Sequence, residues 1–147
     1  MSGNYDRKNT QWSELSAPSL AEFEQLAETA FERLPEEFRQ LCKGVIIQVA
    51  DFPDEDVLRE MGAESPFDLL GLFSGVGLAQ DSAVAESGRL PNHVFLYRRP
   101  ILDYWAEHEE TLGHLVTHVL VHEIGHHFGM SDDDMERIEE LADPSTH

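Results

Sequence analysis

Five residues in the last third of the chain have the types and spacing needed to bind a metal ion and activate water. His122, Glu123 and His126 form the pattern H-E-x-x-H, which Gly129 and Asp132 extend to H-E-x-x-H-x-x-G-x-x-D. On a helix, four residues advance by about 400°, so the two histidines face the same side, about 6 Å apart along the axis. Two neutral imidazoles placed in this way can bind one tetrahedral zinc ion and leave room for a third ligand and a water molecule. The pattern therefore predicts zinc-dependent hydrolytic chemistry.

The remaining motif residues have separate roles in such chemistry. Glu123 is turned by about 100° from His122, so its carboxylate can face the bound water and act as a general base. Gly129 permits a left-handed conformation, which would reverse the chain and return Asp132 to the metal as third ligand. Acidic residues also favour the first turn of a helix, so Asp132 has a second interpretation as part of a helix start. The carboxylates that could replace it as ligand are Asp133, Glu136 and Glu139.

Other side chains of ligand or catalytic type have weaker cases. His114 lies about 12 Å from His122 along the same helix, which is too far to bind the same zinc ion. His118 is expected to be a hydrogen-bonded histidine in a packed interface, or else a hydrogen-bond partner of the ligands. His127 points about 100° away from the ligand face and Cys42 lies in no motif, so both are predicted to be structural. The candidates for stabilising an oxyanion during peptide hydrolysis are Tyr97, Arg98, Arg99 and Tyr104.

Composition restricts the class of protein and of partner. The 147 residues include 10 basic and 29 acidic side chains, which give a formal net charge of −19. This charge argues against binding to nucleic acid or to an anionic membrane surface, and it would favour cationic peptides as substrates. The chain has no apolar run of transmembrane length, no hydrophobic segment at its start and one cysteine. These features predict a cytoplasmic protein that acts on a peptide or protein.

The elements that must position the motif follow from hydrophobic spacing. Residues 1–17 are polar and without periodicity, which predicts a flexible tail, and residues 18–147 are predicted to form one domain. A capping box at Ser19 and Glu22 predicts a helix that Pro35 ends. The motif helix is predicted from about 109 to 128, with an apolar stripe opposite the histidines. The other predicted elements are helices at 36–42, 54–61, 101–107 and 133–142, a buried strand at 45–49, an irregular strand within 69–77, a loop at 79–92 and a strand at 93–97.

The irregular strand suggests how a substrate could bind. Glycines interrupt the apolar segment Leu70–Gly77, and missing side chains allow another backbone to approach closely. We expect an extended peptide to lie along this strand through main-chain hydrogen bonds. On this interpretation, Gly75→Val would impair peptide binding and leave the melting temperature nearly unchanged. A glycine-rich bend needed only for packing is the alternative.

Three segments resemble the small bacterial zincin-like metallopeptidases, a family often called minimal zincins. They are Leu70–Gly75, Val94–Leu102 and His122–Gly129 together with Asp132. The resemblance implies an α+β fold in which a small sheet of about three strands packs with N-terminal helices and a central motif helix. It also implies one zinc ion per chain on His122, His126 and Asp132, with Glu123 as base. The motif is similar to that of metzincins, but few residues follow it, and Met130 and Met135 are poor substitutes for their methionine turn.

These features favour a zinc-dependent peptide hydrolase. One alternative is a zinc-binding protein of zincin fold that recognises a peptide or protein partner without turnover. Another is a domain in which zinc has only a structural role.

Overall fold

The structure is a computed structural model that describes residues 11–75 and 92–143, and it has a mixed α+β fold. In these residues it has six α-helices and a sheet of three strands, which confirms the predicted fold class. The helices are α1 (Leu20–Glu32), α2 (Glu36–Leu41), α3 (Glu55–Glu60), α4 (Arg98–Ala106), α5 (Leu112–His127) and α6 (Asp132–Ala142). The strands are β1 (Ile46–Ala50), β2 (Gly71–Ser74) and β3 (His93–Tyr97), and short 3-10 turns lie at Trp12–Glu14 and Pro66–Asp68.

The sheet has the strand order β1-β3-β2, with β1 parallel and β2 antiparallel to the central β3. Val94 and Leu96 of β3 are fully buried, as expected for the middle strand. β1 was expected to be buried, but it lies at an edge of the sheet, and its Ile46 is 44% exposed. A β-branched run fits both positions, so the sequence pattern alone could not separate an edge strand from a central one.

Local hydrogen bonds explain where α1 begins. The Ser19 side chain accepts a hydrogen bond from the backbone of Glu22 at 3.1 Å, and the Glu22 carboxylate accepts one from the backbone of Ser19 at 2.9 Å. This reciprocal pair is the predicted capping box. The buried face of α1 carries Phe23, Ala27 and Ala30, which pack in the core. The helix ends shortly before Pro35, as its fixed backbone angle requires.

The motif helix α5 is the element on which the core is assembled. It begins after Thr111, whose side chain accepts a hydrogen bond from the backbone of His114. Val116, Leu120 and Ile124 are fully buried and form the predicted apolar stripe. α5 contacts α1, α4, α6, β2 and β3. The opposite face of a helix held in this way can position polar groups with little freedom to move.

The structure differs from the expected boundaries after β3. α4 begins at Arg98, three residues earlier than predicted, with Pro100 in its first turn, where a missing backbone N–H removes no helical hydrogen bond. α6 begins at Asp132 rather than Asp133. The predicted loop at 79–92 and tail at 1–17 lie largely outside the described residues. None of the helices in the described ranges is long and apolar enough to cross a membrane.

Candidate metal centre

Four histidines spaced by four residues line one face of α5. His114, His118, His122 and His126 lie on the side of the helix away from the buried Val116, Leu120 and Ile124. His122 is the most enclosed of the four: 27% of its side chain is exposed, compared with 46% for His118 and 48% for His114, and His126 is also exposed. His114 hydrogen-bonds with Glu110 through Nδ1 at 2.9 Å, away from the motif, as its distance along the helix predicts.

His122 and His126 lie side by side, one helical turn apart. Their ring centroids are 5.5 Å apart and their planes are nearly perpendicular, at 87°. Burial and the neighbouring His118 lower the pKa of His122, although Glu139 opposes the shift. A lowered pKa keeps the imidazole neutral, which is the form that binds a metal ion. This pair therefore has the spacing that a zinc site requires, and the lowered pKa of His122 favours its metal-binding form.

Glu139 of α6 joins two of these histidines. Its Oε1 is 3.1 Å from Nδ1 of His118, and its Oε2 is 3.0 Å from Nε2 of His122. The rings of His118 and His122 lie 4.0 Å apart. One ligand atom from each of the three residues lies within 4.8 Å of the other two. Two imidazole nitrogens and one carboxylate oxygen are a known zinc donor set, so the residues present fit a metal ion.

The charged groups of this cluster shift the pKa values of one another. Burial alone would raise the pKa of Glu139, but the hydrogen bond and positive charge of His118, with His122 and His114, lower it overall. The hydrogen bond to Glu139 raises the pKa of His118 against the opposing effect of burial. Glu139 is therefore held as a carboxylate at the interface of α5 and α6, with only 13% of its side chain exposed.

Asp132 is the first residue of α6 and is exposed. The N-cap is Ser131, whose hydroxyl accepts a hydrogen bond from the backbone of Asp134 at 3.1 Å. Gly129 has φ +75°, so the expected left-handed residue does reverse the chain between the two helices. Among the described residues, the ligand-type group comprises His118, His122 and Glu139, and neither Asp132 nor His126 belongs to it. The predicted role of Asp132 as third ligand stays a prediction.

The side chain of Glu123, which belongs to the motif helix, points toward strand β2. Burial raises its pKa, while His126 and a hydrogen bond from the backbone of Phe73 lower it. A Cβ atom added to Gly71 would lie 2.7 Å from Cγ1 of Val119, 2.9 Å from the Phe95 carbonyl oxygen and 3.5 Å from Cγ of Glu123. The absence of a side chain at Gly71 thus allows β2 to lie directly against α5 beside the Glu123 carboxylate.

β2 presents backbone groups along the edge of the sheet. The backbone N–H of Tyr97 donates to the Leu70 carbonyl at 3.0 Å, and antiparallel pairs alternate between bonded and non-bonded positions. In the observed register, Gly71 and Phe73 occupy non-bonded positions, so their backbone groups point away from β3. For Phe73, this direction leads to Glu123. The edge beside the general-base candidate therefore carries outward-facing peptide groups.

The contacts at Gly75 differ from those expected of a substrate approach. A Cβ atom added there would lie 3.0 Å from Oδ1 of Asn92, 3.1 Å from Cε1 of Phe73 and 3.2 Å from Cε1 of His127. The space is filled by the protein's own side chains. Gly75→Val is therefore expected to disturb packing as well as any bound peptide, contrary to the expectation of an unchanged melting temperature.

Three of the four candidates for oxyanion stabilisation are engaged in other contacts. Arg98 donates from Nε to Asp51 at 2.8 Å and from Nη1 to the Pro18 carbonyl at 2.6 Å. The guanidinium of Arg99 lies over the ring of Phe52, 5.5 Å from its centroid. Tyr104 stacks on His108, with ring centroids 3.8 Å apart. These contacts give the three side chains structural roles.

The fourth candidate, Tyr97, lies closer to the site. Its side chain is 3% exposed, and burial raises its pKa to about 12, with Asp54 and Glu123 acting in the same direction. The phenol is therefore held neutral, as a hydrogen-bond donor must be. It remains the best placed of the four for a role near Glu123.

The two residues predicted to be structural make packing contacts. His127 stacks on Phe73, with ring centroids 3.9 Å apart, and so joins the end of α5 to β2. The buried Cys42 thiol donates a hydrogen bond to the Phe38 carbonyl at 3.4 Å. Burial raises the pKa of this thiol to about 11. A thiol in this environment has little thiolate character and is chemically inert.

Part of the chain is similar to a known protein family. A family model described as zincin-like metallopeptidase matches residues 42–141, which include the whole sheet, the motif helix and most of α6. A search of curated proteins found no match.

Proposed function

Because the chain belongs to the zincin-like metallopeptidase family, we propose that it is a zinc-dependent peptide hydrolase. In this proposal His122, His126 and Asp132 hold the metal ion, and Glu123 is the general base. These three ligand residues are called the motif site below. The reaction is hydrolysis of a peptide bond by water, and one zinc ion per chain is sufficient for it.

The position of Glu123 is the observation that supports this proposal most. A glutamate in the middle of a helix commonly faces solvent, but this one is enclosed between α5 and β2 beside His126. The Phe73 backbone also interacts with its carboxylate and lowers its pKa. A glutamate beside the second motif histidine, next to a strand whose Phe73 backbone groups point away from β3, supports the proposed role as general base.

Each side chain has a separate role in the proposed reaction. When bound, zinc supplies a Lewis acid that polarises the scissile carbonyl and lowers the pKa of a water molecule toward ~7. Glu123 accepts a proton from that water at its carboxylate and returns it to the leaving amine. α5 presents His122 and His126 on one face as the two imidazole ligands, and the lowered pKa of His122 favours its neutral, metal-binding form. The partial burial of Glu123 reduces its contact with bulk water, which would otherwise weaken its interaction with the transferred proton.

The edge of β2 supplies a surface for the substrate. An extended peptide can add to the sheet through the outward-facing backbone groups at Gly71 and Phe73, in the manner of β-strand addition. Binding there would require the Phe73 N–H to exchange its hydrogen bond with Glu123 for one with the peptide. That exchange would release the Glu123 carboxylate at the moment when a substrate arrives. Cationic peptides fit this proposal best because the chain has a net charge of −19.

The experiment compares two glutamate variants in zinc-loaded protein. Glu123→Gln should retain about one zinc per chain and lower hydrolysis of a cleaved library peptide by at least about 100-fold, because it removes the base but no ligand. Glu140→Gln is the matched control, since this exposed glutamate of α6 is not among the candidate ligands or bases. The double change His122→Ala/His126→Ala should abolish zinc binding.

The outcomes separate the candidate functions. Unchanged hydrolysis in Glu123→Gln would show that the proton goes elsewhere. A zinc-loaded wild-type protein that binds library peptides and cleaves none would instead support a binding protein without turnover. Full metal content in the double histidine variant would contradict the zinc assignment itself.

A further inference from the structure

We infer that His118, His122 and Glu139 form a second metal site, which shares His122 with the motif site and is an alternative to it. These three residues are called the His118 site below. The inference concerns metal binding and does not depend on peptide hydrolysis. The site would bind a divalent ion such as zinc, with ligands from two helices, α5 and α6.

The spacing in α5 repeats the spacing of the motif. His118 and His122 are four residues apart, as are His122 and His126, so each pair places two imidazoles on one face of the helix. For the first pair, the third donor is already in place. The two nitrogens of the first pair lie 3.1 Å and 3.0 Å from the oxygens of Glu139. One ligand atom from each of the three residues lies within 4.8 Å of the other two, and neighbouring ligand atoms around tetrahedral zinc are about 3.3 Å apart, so small side-chain movements would admit the ion.

The helices that carry these donors are fixed by packing on both sides. Val119 and Leu120 of α5 are buried beside His118, and Ile138 of α6 is 1% exposed beside Glu139. Donors on packed helices lose little further entropy when an ion binds. A carboxylate with 13% of its side chain exposed is also partly removed from water before any metal arrives. Both effects favour binding of an ion at this position.

The surroundings of the His118 site are acidic, and a cation can reach them from solvent. A groove of about 760 Å³ between α1, α5 and α6 has Glu139 and His114 in its walls. Glu109, Glu110 and Asp143 also line it, against one basic residue, Arg33. An acidic groove raises the local concentration of divalent ions. His118, with 46% of its side chain exposed, can be reached from solvent as well.

The His118 site lacks the group that would make it hydrolytic. In the motif, the residue after the first histidine is Glu123, the proposed base. The corresponding residue after His118 is Val119, which is 5% exposed in the core. An ion at the His118 site is therefore bound without a base beside it. Each nitrogen of His122 can coordinate only one ion at a time. Occupation of the His118 site therefore withdraws His122 from the motif site and prevents hydrolysis.

Zinc binding to full-length variants tests this inference. His126→Ala removes the motif site and should leave one zinc per chain, measured by equilibrium dialysis. In this background, Glu139→Gln should lower zinc affinity by more than about 100-fold, which is the upper range for losing an outer hydrogen-bond partner of a ligand. His118→Ala in the same background should have a similar effect. Glu140→Gln, also in this background, is the matched control on α6, because this exposed neighbour of Glu139 is not among the candidate ligands, and it should leave affinity unchanged.

A spectroscopic measurement separates coordination from hydrogen bonding. In ¹⁵N-labelled His126→Ala protein, added zinc should shift the imidazole nitrogen signals of both His118 and His122, while His114 stays unchanged. Loss of all zinc binding in His126→Ala would overturn the inference. A change of less than about ten-fold in the Glu139→Gln double variant would also overturn it, since Glu139 would then only hold α5 and α6 together. Failure of peptide hydrolysis in the wild type would leave these results unaffected.

Discussion

Met135 of α6 packs directly on Gly125, the glycine inside the H-E-x-x-H motif. A Cβ atom added at position 125 would lie 2.5 Å from Sδ and 2.8 Å from Cγ of Met135. Met135 itself is fully buried. The close contact fixes the distance between α5 and α6 at the level of His122 and His126. It thereby sets the distance from the histidines to both candidate carboxylates on α6, Asp132 and Glu139.

This contact predicts that two glycines on the same helix respond oppositely to alanine. Gly125→Ala should destabilise the fold by about 1–3 kcal/mol, because the buried thioether must move from a packed position. Gly113→Ala is the matched control, since its Cβ atom would meet only Cδ1 of Leu26 at 4.0 Å. There alanine should stabilise α5 by about 0.5–1 kcal/mol. Urea unfolding of both variants measures the difference, and equal effects would contradict the packing role of Met135.

Arg98 is predicted to stabilise the fold rather than the reaction. Its guanidinium joins α4 to Asp51, after β1, and to Pro18, before α1, and 18% of its side chain is exposed. Arg98→Ala should cost about 1–3 kcal/mol, because a half-buried carbonyl and carboxylate lose a charged donor. Arg99→Ala should cost less than about 1 kcal/mol, since its exposed contact with Phe52 is weaker. Thermal melts of the two variants provide the measurement. A large loss of turnover in Arg98→Ala without loss of stability would contradict this assignment.

Elements with local causes could be predicted from the sequence. The capping box at Ser19 and Glu22, the motif helix with its apolar stripe and the strand at His93–Tyr97 all depend on residues within a few positions of one another. The left-handed Gly129 also follows from a local need for chain reversal. In each case short-range spacing determines the element, and the structure has it within three residues of the predicted position; the motif helix, predicted from about 109 to 128, spans Leu112–His127.

Features with long-range causes could not be predicted in the same way. The role of Glu139 depends on how α6 packs against α5, 17 positions after His122, and the sequence offered it only as one of three replacements for Asp132. A signal does exist, because Met135, Ile138 and Ala142 define the buried face of α6, and Glu139 lies beside that face. No comparable sequence pattern predicts the hydrogen bond from Arg98 to the Pro18 carbonyl, 80 positions away.

Cys42 is predicted to react slowly with thiol reagents in the folded protein. With a pKa of about 11 rather than the ordinary 9.0, it has about 100-fold less thiolate near neutral pH, and its side chain is buried. Labelling with a chromogenic disulfide at pH 8 should be slow in buffer and fast after unfolding in urea. The variant Cys42→Ala/Ala106→Cys provides a reference with an exposed thiol. Equally fast labelling of both folded proteins would show that the Cys42 thiol is not protected by burial.

The third ligand of the motif site can be tested by comparing adjacent aspartates. In a His118→Ala background, which removes the His118 site, Asp132→Ala should lower zinc affinity by more than about 100-fold, because the ion loses a ligand. Asp133→Ala should change it by less than about ten-fold. Both aspartates lie in the first turn of α6 and interact similarly with its dipole, so the second variant corrects for helix stability. Equal, small effects on zinc affinity would support the interpretation of Asp132 as part of a helix start.

Charge is predicted to govern which peptides bind to the edge of β2. The 29 acidic and 10 basic side chains give a field that attracts cations, and the acidic first turn of α6 at 132–134 adds to it close to the motif. Zinc-loaded Glu123→Gln protein is suited to the measurement, because a bound peptide would not be cleaved. A cationic peptide should bind it more tightly than a neutral peptide of the same length. The preference should fade between about 0.01 M and 1 M salt, where the screening length falls from about 30 Å to about 3 Å. Fluorescence anisotropy of labelled peptides measures both affinities. Salt-independent binding of the two peptides with equal affinity would show that main-chain hydrogen bonds and apolar contacts determine recognition at this edge, without a contribution from the net charge.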